Sequence, residues 1–299
     1  MKLLITGDWH LRFKKPEMRL DEDYFQTQSD KIKQILYIAK ANDCKTILQP
    51  GDFFDSVETP WFVVQHYMKM FLQEQIDIWT IPGQHDLRYH TREIENTPLG
   101  VLEASVAIRI ATEAILDNFC LYGSWWGQEI PDIETINTIN IIMAHQMIVQ
   151  KKLWQDQIDF SYAKDLLKKN PNCDLFVTGD NHQSFIEEYQ GRYLINCGSL
   201  MRANIDQVDH KPVVYIYDTD KKSFDEIFLK VKPIKKVLNL DRAHIQKQRD
   251  EKLELFIDTL KTKGRESNQY NFIERLYEIM NTNDISLDIR EIIEEVLAK

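Results

Sequence analysis

The chain has 299 residues, of which 43% are apolar and 28% are charged, and its formal net charge is −10. These values predict a globular protein with a substantial core, in one large domain or a domain with an appendage. They argue against a protein that coats nucleic acid with its whole surface. No apolar run approaches the roughly 20 residues of a membrane-spanning helix, and the amino terminus shows no secretory signal, so we expect a cytoplasmic protein.

Strand-like and helix-like patterns alternate along the first two thirds of the chain. Apolar runs at 2–6, 46–50 and 76–81 predict strands, and apolar residues at helical spacing after the first two runs predict helices. Further strands are predicted at 119–122, 139–143, 174–178, 193–196, 213–217 and 227–231. This alternation favours a layered α/β architecture with mixed central β-sheets flanked by helices, and not a barrel of eight equal units.

The character of the sequence changes near residue 241, where only helical patterns remain. We therefore predict a domain over residues 1–240 and a short all-helical carboxy-terminal region over residues 241–299, which contains three amphipathic helices. Residues 230–252 hold eight Lys or Arg against three Asp or Glu. This basic segment is either a solvated connector or a contact for a phosphate backbone.

Five short polar motifs each follow a predicted strand. The carboxyl ends of strands are where ligand-binding loops converge in open α/β sheets, so we expect the motifs to meet. The candidate metal ligands are Asp8, His10, Asp52, Gln84, His145, Asp180 and His182. Carboxylate, amide and imidazole donors together suit Mn²⁺, Fe²⁺ or Zn²⁺ better than Ca²⁺.

The ordered series D-x-H, G-D, G-Q-H-D, H and G-D-x-H resembles the signature of the calcineurin-like metallophosphoesterases over roughly residues 1–230. Within that superfamily the chain looks most like the SbcD-type DNA-repair exonuclease subunits of phages and bacteria. The resemblance implies the layered metallophosphoesterase fold and two divalent metal ions, with Mn²⁺ preferred.

The resemblance also implies roles for individual residues. One metal would be held by Asp8, His10, Asp52 and His182, and the other by Asp52, Gln84, His145 and Asp180. His85 would face the substrate and assist at the leaving group, and its neighbour Asp86 would orient it.

Two positions depart from the usual pattern of the family, and both belong to the second metal. Gln84 stands where Asn is usual, and Asp180 stands where His is usual. Both side chains can still coordinate a metal, and the carboxylate favours harder ions such as Mn²⁺ or Mg²⁺. The alternative is a degenerate site that binds a single ion.

Four further residues are candidates for substrate contact. Arg88 and His90 lie just after the third motif, where a loop can reach a substrate or simply be an ordinary loop. Ser199 and Arg202 belong to a G-S-x-x-R segment that resembles one in some relatives, where it either contacts phosphate or forms a turn with a surface Arg.

The leading hypothesis is a metal-dependent phosphodiesterase that acts on DNA as an exonuclease or end-processing nuclease, by two-metal activation of a water molecule, in DNA repair or recombination. A small-molecule or cyclic-nucleotide phosphoesterase is the enzymatic alternative, which the acidic charge favours. A metal-binding scaffold is the non-enzymatic one. The resemblance further implies a coiled-coil ATPase partner of the SbcC type, bound through the carboxy-terminal helices, and a homodimer.

Overall fold

A computed structural model describes residues 1–242 and 245, except residues 92, 117–118, 134–137, 154–156 and 204–206. The chain divides into two compact units, Met1–Val237 and Leu238–Lys299. The three predicted carboxy-terminal helices lie outside the described residues, so the helical region at 241–299 and its boundary stay predictions.

The described residues form fourteen strands and four α-helices. The strands are β1 (Lys2–Ile5), β2 (Thr46–Gln49), β3 (Asp77–Thr80), β4 (Arg109–Ile110), β5 (Glu113–Leu116), β6 (Phe119–Ser124), β7 (Ile139–His145), β8 (Ile148–Val149), β9 (Ser161–Tyr162), β10 (Leu175–Gly179), β11 (Phe185–Tyr189), β12 (Arg192–Asn196), β13 (Val213–Asp218) and β14 (Ser223–Phe228). The helices are α1 (Tyr24–Ala41), α2 (Trp61–Glu74), α3 (Pro98–Ala104) and α4 (Ala163–Lys169). Short 3₁₀ turns cover Gln84–Asp86, Arg88–His90 and Ile234–Lys236.

The first sheet has six strands in the order β14-β13-β1-β2-β3-β4. Strands β1 to β4 are parallel, and Leu4 of β1 pairs with Ile47 of β2. Strand β13 pairs antiparallel with β1 and forms a hairpin with β14. The parallel strands therefore end at one edge, where the first three predicted motifs follow them.

The second sheet has six strands in the order β11-β12-β10-β7-β6-β5. Its four inner strands are parallel, and Gly179 of β10 pairs with His145 of β7. The edge strands β5 and β11 run antiparallel to their neighbours. Both sheets are thus mixed, as the sequence predicts, and the fourth and fifth motifs share the carboxyl edge of β7 and β10.

The two sheets face each other across an apolar core. Successive residues of a strand point to opposite faces, so Leu3 and Ile5 of β1 pack in the inter-sheet core with Met143 and Val177, while Leu4 packs on the outer side. Each such fully buried side chain contributes roughly 1.5–3 kcal/mol to folding. The sheets therefore cannot separate without exposing the inner side chains of both.

Helices cover the outer faces of the sheets. Helix α1 begins at Asp23, whose carboxylate accepts a hydrogen bond from the Gln26 amide at 2.8 Å. Its apolar stripe packs with α2 on the first sheet, and α4 packs on the second sheet through Leu167. The predicted helical spacing in α1 is confirmed, because the apolar residues at that spacing are all buried: Ile32, Ile35, Leu36 and Ala39.

The sequence prediction of the strands differs from the structure in two ways: one predicted strand is displaced, and β4, β5, β8, β9 and β11 were not predicted. A strand was predicted at 227–231, whereas β14 covers Ser223–Phe228, because the hairpin turn before it fixes the pairing of Asp218 with Ser223. Strand β11 was not predicted, since its residues are partly exposed on an edge and Glu187 and Glu188 interrupt its apolar pattern.

None of the helices among the described residues is long and apolar enough to cross a lipid bilayer. All four cysteines are free thiols in the buried interior, which agrees with their wide spacing in the sequence. Burial raises the pKa of Cys173 and Cys197 above the ordinary thiol value. These thiols are therefore packing residues and not reactive ones.

The buried hydroxyl of Tyr67 gives a test of this core. Its ring stacks on Phe71 at a centroid distance of 6.0 Å, and among the described residues its hydroxyl has no hydrogen-bond partner. We expect Tyr67→Phe to raise the free energy of unfolding by about 1 kcal/mol, because an unsatisfied buried hydroxyl is removed. Urea unfolding of the purified chain measures the change.

The matched control is Tyr215→Phe, since the Tyr215 hydroxyl donates to Glu226 at 3.1 Å. We expect this variant to lose about 1 kcal/mol, the usual contribution of one hydrogen bond. Equal destabilisation by the two changes would contradict the account of Tyr67.

Candidate metal centre

The five predicted motifs meet where the carboxyl edges of the two sheets adjoin. Direct contacts join residues of the first sheet to residues of the second. The Asp180 amide donates to Asp8 Oδ2 at 3.0 Å, and His145 Nε2 lies 3.3 Å from Asp52 Oδ2. Asp8 and Asp52 follow strands β1 and β2, while His145 ends β7 and Asp180 follows β10. The site is therefore built from both sheets.

The first half of the site consists of Asp8, His10 and His182, whose ligand atoms all lie within 4.8 Å of one another. The two Nε2 atoms of the histidines are 3.1 Å apart, and His10 Nε2 is 3.7 Å from Asp52 Oδ2. Burial lowers the pKa of His10 to about 3 and that of His182 to about 4. Both rings are thus neutral at physiological pH, which is the form that binds metals.

The second half of the site lies around His145. Its Nδ1 donates to the Pro50 carbonyl at 2.7 Å, which leaves Nε2 directed at Asp52. Burial alone would lower the pKa of His145, but the carboxylates of Asp52, Asp8 and Asp180 outweigh it and raise the pKa to about 10. The cluster therefore attracts positive charge, and a divalent cation would supply it.

Gln84 is the remaining candidate ligand of the second half of the site, but its side chain forms no hydrogen bond with the others among the described residues. It begins the 3₁₀ turn after β3, and the amide of the next residue, His85, donates to Asp52 Oδ1 at 3.0 Å. Among the described residues the Gln84 side chain makes no hydrogen bond. Its amide oxygen is thus not engaged elsewhere.

The buried polar atoms of the cluster test whether metal ions fit. Among the described residues, four atoms of the cluster are buried without a hydrogen-bond partner: Asp8 Oδ1, Asp52 Oδ2, His10 Nδ1 and His145 Nε2. An unsatisfied buried polar atom costs about 1–3 kcal/mol, and more when the group is charged. Three of the four are the two carboxylate oxygens and the His145 Nε2 atom that faces one of them. Such atoms are ligands of divalent cations, so the donor set fits these ions.

The backbone holds these side chains in unusual conformations. His10, Asp52 and Asp180 have positive φ angles of 46°, 48° and 79°, which are uncommon for residues other than glycine. A Cβ on Gly179 would lie 2.5 Å from Asp8 Oδ1 and 2.7 Å from the Pro50 carbonyl oxygen. The close approach of the two sheet edges therefore requires glycine at this position.

Asp86 does not orient His85, contrary to the expectation from the sequence. Its buried carboxylate accepts hydrogen bonds from the amides of Phe53, Phe54 and Gly83 at 2.9–3.0 Å. Burial raises the pKa of Asp86 to about 7. The Asp52 carboxylate contributes to this rise, whereas the hydrogen bonds from the three amides oppose it. Asp86 thus fixes the segment that follows Asp52 to the turn that carries Gln84.

His85 is held instead by a backbone carbonyl. Its Nδ1 donates to the Asp55 carbonyl at 2.8 Å, and its Nε2 lies 3.9 Å from Asp52 Oδ2. The His85 side chain is 41% exposed, whereas that of Asp52 is 1% exposed. Ligand atoms of His10, Asp52 and His85 also lie within 4.8 Å of one another, so the ring stands between the metal-binding cluster and solvent.

The four candidates for substrate contact lie in different environments. Arg88 forms an ion pair with Glu58 at 3.0 Å. His90 ends the 3₁₀ turn, and its side chain lies outside the described atoms. Ser199 is buried, donates to the Met201 carbonyl and accepts from Gln207. Arg202 is also buried and donates to the Lys232 carbonyl, so it is not the surface residue that the alternative interpretation expected.

Two residues near the site were missed by the sequence analysis. The buried Gln49 side chain donates to the Gly51 carbonyl at 2.5 Å and to that of Gly7 at 3.3 Å, and so links the first two motif loops. Asp55 supplies the carbonyl that holds His85. A polar residue at the end of a fully buried strand was the available signal for Gln49.

The hydrogen bonds of Asp86 lead to a prediction about stability. We expect Asp86→Ala to lower the free energy of unfolding by about 3 kcal/mol, because three buried amides lose a charged acceptor. His85→Asn is the control, and it should change stability by less than about 0.5 kcal/mol because the ring is half-exposed. Urea unfolding of both variants measures this, and equal effects would show that Asp86 has no special structural role.

The chain is similar in sequence to a known family and to a phage protein. Residues 1–184 match the family model described as calcineurin-like phosphoesterase. A segment of 94 residues is 34% identical to "Exonuclease subunit 1" of enterobacteria phage T4, and it covers 30% of this chain and 26% of the phage protein. The chain thus spans about a quarter of the length of that relative.

Similar solved structures include nuclease MPE from Pseudomonas putida, with 14% identity, a TM-score of 0.33, and coverage of 65% of this chain and 73% of that chain. A dimetal phosphatase from Danio rerio has 11% identity and a TM-score of 0.44, with coverage of 72% and 92%. The family match spans more than half of the chain and contains every motif from Asp8 to His182. This chain belongs to the calcineurin-like phosphoesterase family.

Proposed function

We propose that the protein is a metal-dependent phosphodiesterase that acts on DNA as an exonuclease or end-processing nuclease. The observation that carries this proposal is the half-exposed His85 beside a buried cluster of carboxylates and neutral imidazoles. Members of the calcineurin-like family are phosphoesterases with a dinuclear metal site, and this donor set fits two divalent ions. We propose Mn²⁺ for both.

The chain's own residues would divide the chemical work. When bound, the two ions would supply a more acidic water and would neutralise the charge of the phosphoryl group. Asp52 lies between the two halves of the site, and nearby imidazoles, His145 foremost, hold its pKa below its ordinary value against the effect of burial. It stays ionised, as a shared ligand must.

His85 is the candidate for proton transfer to the leaving oxygen. Because a carbonyl only accepts hydrogen bonds, the contact with Asp55 places a proton on Nδ1 and leaves Nε2 on the side of the cluster. In the doubly protonated ring Nε2 can donate to the sugar oxygen as the phosphorus–oxygen bond breaks. Such general acid catalysis contributes typically 10²–10⁴-fold to the rate.

Two features support DNA as the substrate over a small phosphoester. One is the match to the phage exonuclease subunit. The other is the series of lysines at 230, 232, 235 and 236, which suits a phosphate backbone. The net charge of −10 favours the second candidate, a small-molecule or cyclic-nucleotide phosphoesterase. A scaffold that binds metal and assembles with an ATPase partner would share the cluster but not need His85.

Metal binding should be visible in the stability of the full chain. We expect Mn²⁺ at about 100 times its Kd to stabilise the metal-stripped protein by about 2.7 kcal/mol, because it binds only the folded state. Thermal unfolding with and without Mn²⁺ measures the shift. Asp52→Asn should remove most of it, whereas Asp225→Asn, a change at an exposed carboxylate of β14, should leave it intact. A wild-type chain that Mn²⁺ does not stabilise would exclude the metal site.

Cleavage of labelled single- and double-stranded DNA with Mn²⁺ tests the activity itself. We expect His85→Asn to lower kcat about 10²- to 10⁴-fold, with the Mn²⁺-dependent stabilisation unchanged. Hydrolysis of bis-p-nitrophenyl phosphate without any DNA cleavage would favour the small-molecule alternative. A His85→Asn variant that loses the Mn²⁺ stabilisation would identify the ring as a ligand instead of a proton donor.

A further inference from the structure

A cavity of about 200 Å³, lined in part by charged side chains, lies outside the metal centre. Its walls come from helix α1 and the loop before it, from the segment around Arg202, and from the chain between Lys230 and Val237. Five cationic side chains line it, against two acidic ones: Arg19, Lys31, Arg202, Lys230 and Lys232 against Asp21 and Asp30. The cavity therefore carries a surplus of positive charge.

The two most buried cations of the cavity without an acidic partner among the described residues are Lys31 and Arg202, and neither carboxylate of the cavity neutralises them. Asp21 is engaged by Arg19, whose Nε and Nη2 donate to its two oxygens at 2.7 Å and 3.0 Å. Asp30 accepts from Gln26 at 2.7 Å and lies 3.6 Å from Lys33. Both acids thus have other partners, and the surplus charge belongs to the remaining lysines and Arg202.

Lys31 and Arg202 are both only 7% exposed, and both are held by backbone carbonyls. Lys31 Nζ donates to the Lys230 carbonyl, and Arg202 Nη2 donates to the Lys232 carbonyl at 2.6 Å. Among the described residues neither forms an ion pair. Burial and then the charges of Arg202 and Arg19 lower the pKa of Lys31 to about 8. Buried charge without a counter-charge is costly, so an anion would stabilise this arrangement.

The cavity wall is continuous with the metal centre. The Leu200 amide donates to the Asp8 carbonyl at 2.8 Å, and Leu200 also lines the cavity two residues before Arg202. The metal-binding cluster and the cationic cavity are therefore neighbours along one segment of backbone.

We propose that this cavity is a binding site for a phosphate group, held by Lys31 and Arg202. The planar guanidinium of Arg202 offers further N–H donors that suit phosphate oxygens, and Lys31 supplies a compact positive charge. The phosphate is either free or part of a polynucleotide strand. Only the second source rests on the proposed function.

The first test uses the full chain stripped of metal with a chelator, so that the metal centre does not bind the anion. Sodium phosphate is compared with sodium chloride at matched ionic strength and pH 7. We expect phosphate to raise the wild-type Tm by a few degrees. Lys31→Met should abolish this rise, and Lys40→Met, an exposed change near the end of the same helix, should preserve it.

A second variant covers the case in which Lys31→Met does not fold. Arg202→Lys keeps the charge but loses the planar fork, and it should weaken phosphate binding about tenfold in isothermal titration calorimetry. A wild-type chain that shows no phosphate response beyond that of chloride would overturn the proposal. So would an equal loss of response in Lys31→Met and Lys40→Met.

The second test distinguishes the two sources of phosphate. Binding of a fluorescent single-stranded oligonucleotide to the metal-stripped chain is followed by anisotropy. A tenfold or greater loss of affinity in Lys31→Met assigns the cavity to a strand phosphate, while an unchanged affinity assigns it to free phosphate. Neither result depends on DNA cleavage, so a failure of the proposed activity does not affect this test.

Discussion

The structure depends on two carboxylates that are buried where the edges of two sheets adjoin. Asp8 and Asp52 are each 1% exposed, and each has an oxygen without a hydrogen-bond partner in the described part of the chain. Burial raises the pKa of Asp8 well above its ordinary value, although His145 opposes this effect. Ionised acids in this position require positive charge beside them, and the raised pKa of His145 follows from that requirement.

Residues around the cluster hold the candidate ligands in position. Gln49 links two of the loops, Asp86 fixes three amides, and Gly179 allows the second sheet to approach Asp8. Each of these residues acts on the backbone that carries a candidate ligand. The positions of the ligands are thus determined by contacts one step away from the cluster, as in many metal sites.

The main strands and the meeting of the five motifs at their ends were predictable because strands and strand-end motifs depend on local patterns. A buried apolar run that ends in Gly7-Asp8 or Gly51-Asp52 is visible in the sequence, and its strand is found where expected. The partner of His85 was not predictable, because Asp86 is adjacent in sequence but its side chain accepts from the amides of Phe53 and Phe54, 33 and 32 residues away. The burial of Arg202 also depends on distant segments, which only the assembled fold brings together.

The contributions of both sheets to one cluster bear on how the chain folds during synthesis. Asp8 and Asp52 are made early, whereas His145, Asp180 and His182 are added only after the second sheet has begun to form. A nascent chain that has only strands β1 to β4 of the first sheet contains both acids but no imidazole from the second sheet. Any divalent ion would then be bound only after β7 and β10 are made, and its binding would join the first strands of the chain to those of the second sheet.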